Sequence, residues 1–344
     1  MSIGQIAFLG SGETSLTGGR VFESLARRLP NPLQVAILET PAGFELNSEQ
    51  VAGRVGDYLK SRLQNYSPNV AIIPARKKGS EFSPDNPELL EPLTHANLIF
   101  MGPGSPTYAV RHLKNTLAWD LVRARHRLGA ALVIASAATI SAGDWVLPVY
   151  EIFKVGEDVH VVEGLGLFKD FGLHLSIIPH WNNAEGGEDL DTSRCYVGME
   201  RFNQWCDMLP EENTTLGLDE HTGLILDFDA GECQVTGIST VSLVRKCDPE
   251  IHPAGVKFPV RELGDFNLPQ PLDQDIQPQA WEMALNRPHP ENEKPPEEIL
   301  DLVRRRERAR ARMDFKKSDD LRDRIAELGW QVQDTESGQK LVRG

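Results

Sequence analysis

Short apolar runs alternate with amphipathic stretches over residues 1–245, and few folds are compatible with this pattern. The apolar runs, bounded by Gly, Pro, Ser or Thr, lie at 6–10, 34–40, 70–75, 97–102 and 131–135. Amphipathic stretches lie between them at 18–29, 47–63 and 106–127. Continuous apolar strands separated by helices are typical of a parallel sheet covered on both faces. The pattern predicts a flavodoxin-like, three-layer α/β domain over residues 1–245.

The second half of this predicted domain is less regular. Residues 160–164 and 173–180 have the composition of strands, and residues 192–209 have the pattern of a helix. Between 215 and 245 the chain shows a run of strands that we expect to be mostly antiparallel. No internal repeat is visible.

Beyond residue 245 the composition changes twice. Residues 246–297 contain ten prolines in 52 positions and no periodicity, which predicts a linker. Residues 298–344 are charge-dense and carry apolar residues at helical spacing, for example Leu321, Ile325 and Leu328. We expect two helices interrupted near 314–317, followed by two short strands near 330–334 and 339–342.

Charge and composition exclude several classes of protein. The net charge of −14 disfavours general affinity for nucleic acid, because phosphates must be neutralised by Lys and Arg. No apolar run approaches the ~18 residues of a membrane span, and the first residues lack a basic segment before a signal-like apolar stretch. We therefore expect a cytoplasmic protein with no membrane association. The cysteines have no zinc-type spacing and are expected to be reduced thiols: Cys195, Cys206, Cys233 and Cys247.

The segment 131–145, ALVIASAATISAGDW, contains the candidate nucleophile. An apolar strand ends on Ser136, and the small residues Ala137 and Ala138 follow. A serine at a strand-to-helix corner between small residues is how an α/β hydrolase exposes a nucleophilic hydroxyl. The alternative is a small-residue turn beneath a parallel sheet. Ser141 is a second candidate, although it is expected inside the following helix.

A serine nucleophile needs a base, and His180 is the best placed histidine. It follows the strand-like segment 173–178 and precedes a polar loop, the position at which α/β enzymes carry functional groups. The histidines expected at the surface, in or beside amphipathic helices, are His95, His112 and His126. Several carboxylates between Ser136 and His180 are candidates for the group that orients the base: Asp144, Glu151, Glu157, Asp158 and Glu163.

The oxyanion of an acyl-transfer reaction needs N–H donors. The amide of Ala137, directly after the candidate nucleophile, is one, and the loop 100–108 offers a second at Gly104, where the backbone can approach closely. Ser105 in this loop is a predicted substrate contact, and it is also the expected N-cap of the next helix. Arg194 and Arg201 are candidates for binding a substrate carboxylate, or for ordinary helix-surface ion pairs.

The glycine-rich segment 10–19 does not complete a dinucleotide-binding motif, since Ser15 occupies the third glycine position and no acidic residue closes a ribose site. It is expected to line the same pocket. The sequence implies no metal and no organic cofactor.

Four segments within residues 3–245 resemble the serine peptidase family of peptidase E and cyanophycinase, which has the class I glutamine-amidotransferase-like fold. They are IAFLGSGE, NLIFMGPGSPTYAVRHLKNT, ALVIASAATISAGDW, and LGLDEHTGLILD with VTGISTVSLV. The resemblance implies that Ser136 is the nucleophile, His180 the base and Glu151 the acid. It implies hydrolysis of a small peptide or isopeptide-like amide. A glutaminase is excluded, because those relatives have a Cys elbow and a His-x-Glu pair.

The elbow departs from the family pattern at three positions. Ile134 and Ala138 replace the glycines that flank the serine, and Pro103 replaces a glycine of the oxyanion loop. Two functions therefore stay open: a serine hydrolase, and a catalytically silent binding protein on the same fold.

Residues 304–343 resemble the C-terminal helical segment of cysteinyl-tRNA synthetases. From residue 298 onward there are 12 Lys plus Arg and 10 Asp plus Glu, a balance of about +2. The resemblance suggests RNA contact through 298–344, whereas the near-neutral balance favours a helical hairpin that serves as an interaction or stabilising module. A homodimer is a further expectation.

Overall fold

The computed structural model describes residues 2–246, 248–269, 275–285, 296–335 and 338–343. They form two compact units, Met1–Leu285 and Asn286–Gly344. The strands of the first unit are β1 (Ile6–Leu9), β2 (Gln34–Leu38), β3 (Asn69–Ile73), β4 (Leu98–Met101), β5 (Ala131–Ala135), β6 (Trp145–Val146), β7 (Val162–Glu163), β8 (Leu175–Ile178), β9 (Thr214–Leu218), β10 (Thr222–Asp227), β11 (Glu232–Gly237), β12 (Thr240–Arg245), β13 (Asp248–Pro253) and β14 (Lys257–Pro259). Its α-helices are α1 (Leu16–Ala26), α2 (Ser48–Arg62), α3 (Glu91–His95), α4 (Pro106–Leu113), α5 (Leu117–Arg127), α6 (Ala137–Ala142), α7 (Met199–Cys206) and α8 (Pro278–Leu285).

The main sheet has eight strands in the order β14-β11-β10-β1-β5-β4-β2-β3. The five strands from β1 to β3 in this order are mutually parallel, and β10, β11 and β14 extend the sheet with antiparallel pairs. All five apolar runs of the first 135 residues are therefore strands of one parallel sheet, as the sequence pattern predicts.

Alternate residues of the parallel strands enter two separate cores. On β1, Ile6 and Phe8 join one cluster, whereas Ala7 and Leu9 join the other. Helices α1 and α2 cover the second cluster, and α3 to α6 cover the first. Since side chains alternate across a strand, this division places helices on both faces of the sheet. The three-layer prediction is confirmed.

A second sheet of four strands has the order β13-β12-β9-β8. β8 pairs with β9 in parallel, and the remaining pairs are antiparallel. The strands of residues 215–245 are thus divided, with β10 and β11 in the main sheet and β9 and β12 in the second. β8 carries the chain to His180.

Local sequence signals misplaced several helix boundaries. The stretch 106–127 is two helices, since the chain turns at Asn115 with φ +57° and α5 begins after Thr116, whose hydroxyl accepts the Trp119 N–H. The helix expected at 192–209 spans only Met199–Cys206. In the segment 160–164 only the two residues of β7 are strand.

The described parts of the predicted linker up to Leu285 belong to the first unit. β13 pairs with β12, β14 pairs with β11, and α8 lies against α5. Arg125 donates to the Ala284 carbonyl, and the Gln277 amide donates to Asp120. The end of the first domain, expected at residue 245, therefore lies at residue 285. The proline-rich composition did not mark a linker there, because prolines are tolerated on edge strands and at a helix start.

The second unit contains the two helices and two strands that the sequence predicts: α9 (Glu297–Ala311), α10 (Phe315–Glu327), β15 (Trp330–Thr335) and β16 (Gly338–Arg343). Asp314 caps α10 by accepting the Lys317 amide, so the break lies just before the predicted position. Ile299, Ile325 and Trp330 form its core.

Within the described residues, no helix is both long and apolar enough to cross a bilayer. The described cysteines Cys195, Cys206 and Cys233 are free thiols. Cys247 lies outside the described residues.

Two of the histidines expected at the surface are buried, His112 at 8% and His126 at 1% exposure. The ring of His126 contacts the Gly4 carbonyl through Nε2, at 2.7 Å. Burial lowers the pKa of His126 to about 4. In the unfolded chain the ring has an ordinary pKa of about 6.5.

We expect acid to destabilise the fold through His126. The depressed pKa means that its stabilising contribution is complete above pH ~6.5 and is lost as the pH falls towards 4. The loss is on the order of 3 kcal/mol. Urea denaturation of wild type and H126Q between pH 7 and 4 measures it. H160Q, at a half-exposed ring, is the control; an H126Q profile as steep as wild type contradicts the assignment.

Candidate active site

Ser136 stands at a strained corner between β5 and α6. Its backbone has φ +53° and ψ −125°. Such a conformation costs a non-glycine residue on the order of 1–3 kcal/mol and persists where surrounding structure imposes it. Here the Ser136 carbonyl accepts the Thr139 amide, and the Ala138 amide donates to the Gly102 carbonyl. The serine therefore lies at a strained strand-to-helix turn, and its role as the serine of a nucleophile elbow stays a prediction.

The residues that replace the family's glycines fit this corner. Ile134 and Ala138 are both fully buried and belong to the same core cluster. The Thr139 hydroxyl donates to the Ile134 carbonyl across the corner. The corner therefore accommodates Ile134 and Ala138 without flanking glycines.

The sheet brings the backbone of His180 close to Ser136. Leu9, the last residue of β1, is paired with Ala135 of β5, so Gly10 and Ser136 leave the sheet side by side. The His180 amide donates to the Gly10 carbonyl at 3.0 Å. Both residues thus lie at the carboxyl edge of the parallel strands, where α/β enzymes place their sites. Among the described residues, no hydrogen bond joins their side chains.

His180 is held by Glu220, in the turn between β9 and β10. The His180 Nδ1 atom lies 3.0 Å from Glu220 Oε1, and the Asn183 side-chain amide donates to the same oxygen. The Glu220 amide in turn donates to the side-chain oxygen of Asn182. A carboxylate only accepts hydrogen bonds, so this contact places the proton of the neutral ring on Nδ1 and leaves the Nε2 lone pair free.

The surroundings keep Glu220 ionised. Partial burial raises the pKa of Glu220, but hydrogen bonds from Asn183 and His180 lower it, as do the charges of His180 and His221. The pKa of the carboxyl group ends below its ordinary value. At neutral pH Glu220 is therefore suited to stabilising a protonated His180 ring.

Glu151 does not contact His180, which corrects the expectation drawn from the family resemblance. It begins a short π-helix, Glu151–Val155, and its Oε1 accepts the Thr107 hydroxyl. Its other oxygen, Oε2, is buried with no partner in the described structure. The carboxylate on His180 comes instead from the turn after β9, about 40 residues further along the chain than His180.

The loop after β4 lies beside the elbow, where the predicted oxyanion donors belong. Gly104 has φ +145°, and the Ser105 amide donates to the Pro41 carbonyl. Within the described residues, neither the Ala137 nor the Gly104 amide has a hydrogen-bond acceptor. Both N–H groups thus remain available, and their role as oxyanion donors stays a prediction.

Ser105 caps α4, because its hydroxyl accepts the Tyr108 amide at 3.2 Å and lies 3.0 Å from the Thr107 hydroxyl. Its predicted contact with substrate is untested.

The two candidate arginines differ in environment. Arg194 stacks on Trp181, with its guanidinium carbon 3.9 Å from the ring centroid, and donates to the Trp181 carbonyl. It lies in the turn before α7 rather than on that helix, and Arg201 is exposed on the helix. Arg194 therefore has a packing role, and carboxylate binding by either residue stays a prediction.

Backbone strain concentrates around His180. Six of the ten described non-glycine residues with positive φ belong to the segments that meet here: Ser136, His180, Arg194, Cys195, Tyr196 and His221. The Cys195 amide donates to the His180 carbonyl, and the His221 amide donates to the Ser11 hydroxyl of the glycine-rich segment. Clustered strain of this kind marks functional sites more often than ordinary loops.

Cys195 is the thiol nearest to this site, and burial raises its pKa to about 12. It is therefore a protonated thiol and a poor nucleophile at neutral pH. Burial also raises the pKa of Tyr196 to about 12, so its phenol, whose ring centroid lies 5.8 Å from that of His180, stays neutral.

Comparison with solved structures identifies the same fold in a peptidase. The chain matches a crystal structure of a peptidase from an acI-B1 actinobacterium with a TM-score of 0.58 and 22% identity, over 75% of this chain and 97% of that one. The first unit has the fold of that peptidase. It also matches a putative peptidase E protein from Listeria monocytogenes EGD-e, with a TM-score of 0.44 and 13% identity, over 74% and 100% of the two chains.

The second unit matches a different family. Residues 293–341 match the model of the cysteinyl-tRNA ligase anticodon binding domain. None of the curated proteins compared with the sequence gives a match. The resemblances read from the sequence are thus confirmed for the fold of the first unit and for the C-terminal segment.

Sequence reasoning did not select Glu220 as a site residue. The sequence offered one signal for it, since Glu220 follows a strand-like run in the segment LGLDEHTG. Asn182 and Asn183, which contact it in the structure, follow a different strand-like run. Only the pairing of β8 with β9 shows that these two strand ends are neighbours.

Proposed function

We propose that the chain is a serine hydrolase that cleaves a peptide or isopeptide-like amide with Ser136 as nucleophile. The observation that carries the proposal is the strained backbone corner at Ser136, directly after β5. The neighbouring strand β1 is followed by Gly10, whose carbonyl accepts the His180 amide. A positive φ at a serine has a steric cost, and among the described residues no contact of Ser136 offsets it. Such a turn does present the serine hydroxyl for nucleophilic attack, which gives the strain a function.

The site residues divide the reaction between them. His180 Nε2 takes the proton of the Ser136 hydroxyl as the oxygen attacks the amide carbonyl, and gives it to the leaving amine, which leaves the acyl group on Ser136. Water then attacks this ester while His180 takes a proton from it and returns the proton to Ser136, so the acid product is released. Glu220 fixes the ring tautomer and stabilises the imidazolium. The amides of Ala137 and Gly104 are the proposed donors to the oxyanion. No step needs a metal or an organic cofactor.

A fluorophosphonate probe tests whether Ser136 is a reactive nucleophile. We expect stoichiometric labelling of the wild-type chain and none of S136A. S141A is the matched control, since Ser141 lies inside α6, is 1% exposed and donates to the Ala138 carbonyl. Absence of labelling of wild type between pH 6 and 9 favours the silent binding protein and overturns the proposal.

We further propose that the second unit contacts RNA. The match of residues 293–341 to an anticodon binding domain favours this, and α9 and its C-terminal end expose Arg305, Arg308 and Arg312. Because phosphate contacts release counterions, binding should weaken steeply with salt.

Filter binding of tRNA to the full chain at 50 and 200 mM salt tests this second proposal. The triple variant R305E/R308E/R312E should lose binding by tenfold or more. The control R20E/R54E/K60E changes the net charge equally in the first unit, at exposed positions of α1 and α2. Equal losses of tRNA affinity in both variants, or no tRNA binding by wild type, contradict the second proposal.

The homodimer expected from the sequence stays a prediction.

A further inference from the structure

A histidine and two glutamates come together at the edges of the two sheets, and the proposed hydrolase does not use them. Glu250 and His252 are two residues apart on β13, so both side chains project from the same face of this edge strand. Glu262 lies in the 3₁₀ turn Val260–Leu263, which follows β14 at the edge of the main sheet. One potential ligand atom from each of the three residues lies within 4.8 Å of the others.

His252 points a buried, unpartnered nitrogen into this cluster. Its side chain is 10% exposed, and among the described residues Nε2 has no hydrogen-bond partner. Glu250 Oε1 lies 3.7 Å from this nitrogen, which is too far for a hydrogen bond. A buried ring nitrogen without a partner destabilises the folded state, so a ligand that satisfied it would stabilise the fold.

Neighbouring residues fix the His252 ring and the backbone of Glu262, and one of them lies near one oxygen of Glu250. The His252 ring stacks on Phe258 of β14, with centroids 4.3 Å apart. Arg245 donates to the Glu262 backbone carbonyl, and its guanidinium lies 3.7 Å from Glu250 Oε2, which leaves Oε1 directed at His252. The carboxylate oxygen nearest to His252 is therefore not the one engaged by the arginine.

We propose that Glu250, His252 and Glu262 bind a divalent transition metal ion of the Zn²⁺ class. One imidazole nitrogen and two carboxylate oxygens form a three-ligand set that leaves a fourth position to water. Bonds of about 2.0–2.2 Å place the ligands of a tetrahedral ion roughly 3.3–3.6 Å apart, so the present separations need a closure of about 1 Å. Rotation of Glu250 supplies it, because that side chain is exposed.

The ion would join β13 of the second sheet to the segment after β14 of the main sheet. Each strand lies at the end of its sheet. An ion bound only by the folded state stabilises it by RT ln(1 + [M]/Kd). The site's role is therefore structural, and it is independent of Ser136 and His180.

Isothermal titration of the full, untagged and EDTA-treated chain with ZnCl₂ tests the proposal. We expect one Zn²⁺ per chain, a rise in Tm on binding, and an affinity at least tenfold weaker in both E250Q and E262Q. H252N should lose the site as well; the two Gln variants keep the test valid if H252N fails to fold.

The matched control is E232Q, since Glu232 is an exposed glutamate on neighbouring β11 that pairs with Lys257. Its zinc affinity should equal that of wild type. A tenfold excess of Mg²⁺ should not displace Zn²⁺, because Mg²⁺ prefers an octahedral set of oxygens. Lack of zinc binding by wild type, unchanged binding in both E250Q and E262Q, or displacement by Mg²⁺ overturns the proposal.

Discussion

Replacing Glu220 with glutamine should slow fluorophosphonate labelling of Ser136 by about 10³–10⁴-fold, the loss expected when the orienting carboxylate of a triad becomes an amide. The Glu220 carboxylate accepts from His180 Nδ1 at 3.0 Å. An amide at this position carries no negative charge, so it cannot stabilise the imidazolium that forms when His180 takes the serine proton. Stopped-flow labelling at pH 7.5 measures the second-order rate constant.

E151Q is the control for this experiment. Glu151 contacts the Thr107 hydroxyl and not His180, so its replacement should change the labelling rate by less than tenfold. Circular dichroism and Tm of both variants exclude unfolding as the cause. A loss of labelling rate in E151Q equal to or larger than that in E220Q would identify Glu151 as the carboxylate that orients His180, as the family resemblance implies. Such a result would contradict the structure.

G104A should destabilise the protein by about 4 kcal/mol or more, at the extreme of single substitutions. A Cβ atom at this position would lie 1.9 Å from the Pro41 carbonyl oxygen and 2.1 Å from its carbon. These are backbone atoms of the 3₁₀ turn Thr40–Ala42, and the φ of +145° is itself unfavourable for alanine. The loop after β4 would have to move away from the 3₁₀ turn Thr40–Ala42 to relieve the contact.

The control for G104A is G53A, within α2. A Cβ there meets nothing within 4 Å, so alanine should stabilise the helix by about 0.5–1 kcal/mol. Urea denaturation of the three proteins gives the two differences in the free energy of unfolding. A G104A loss below 1 kcal/mol would show that this loop does not pack as the structure has it.

The parallel sheet could be predicted because its strands carry their own signal. Each of the five runs is predominantly apolar and has a Gly, Pro, Ser or Thr at or next to its end, so each strand is recognisable without knowledge of its neighbours. The corner at Ser136 was visible for the same reason, since the strand, the serine and the small residues are contiguous. The prediction of a linker from residue 246 onward was wrong for β13 and β14, because prolines are tolerated on edge strands as well as in unstructured segments.

The candidate site could be predicted only in part, because its members meet through tertiary pairing. Glu220 is brought next to His180 by the pairing of β8 with β9, which no local pattern encodes. Glu151 stands where the family resemblance implies, yet its side chain is directed to Thr107. Likewise Glu262 approaches His252 only because β13 and β14 lie at the edges of two different sheets.

Peptide mapping by mass spectrometry after fluorophosphonate treatment tests the central claim most directly, because it locates the reactive atom without knowledge of the substrate. We expect one adduct per chain, on the peptide that contains Ser136 and on that serine. An adduct on Ser141, on another hydroxyl or on a cysteine, with Ser136 unmodified, would contradict it.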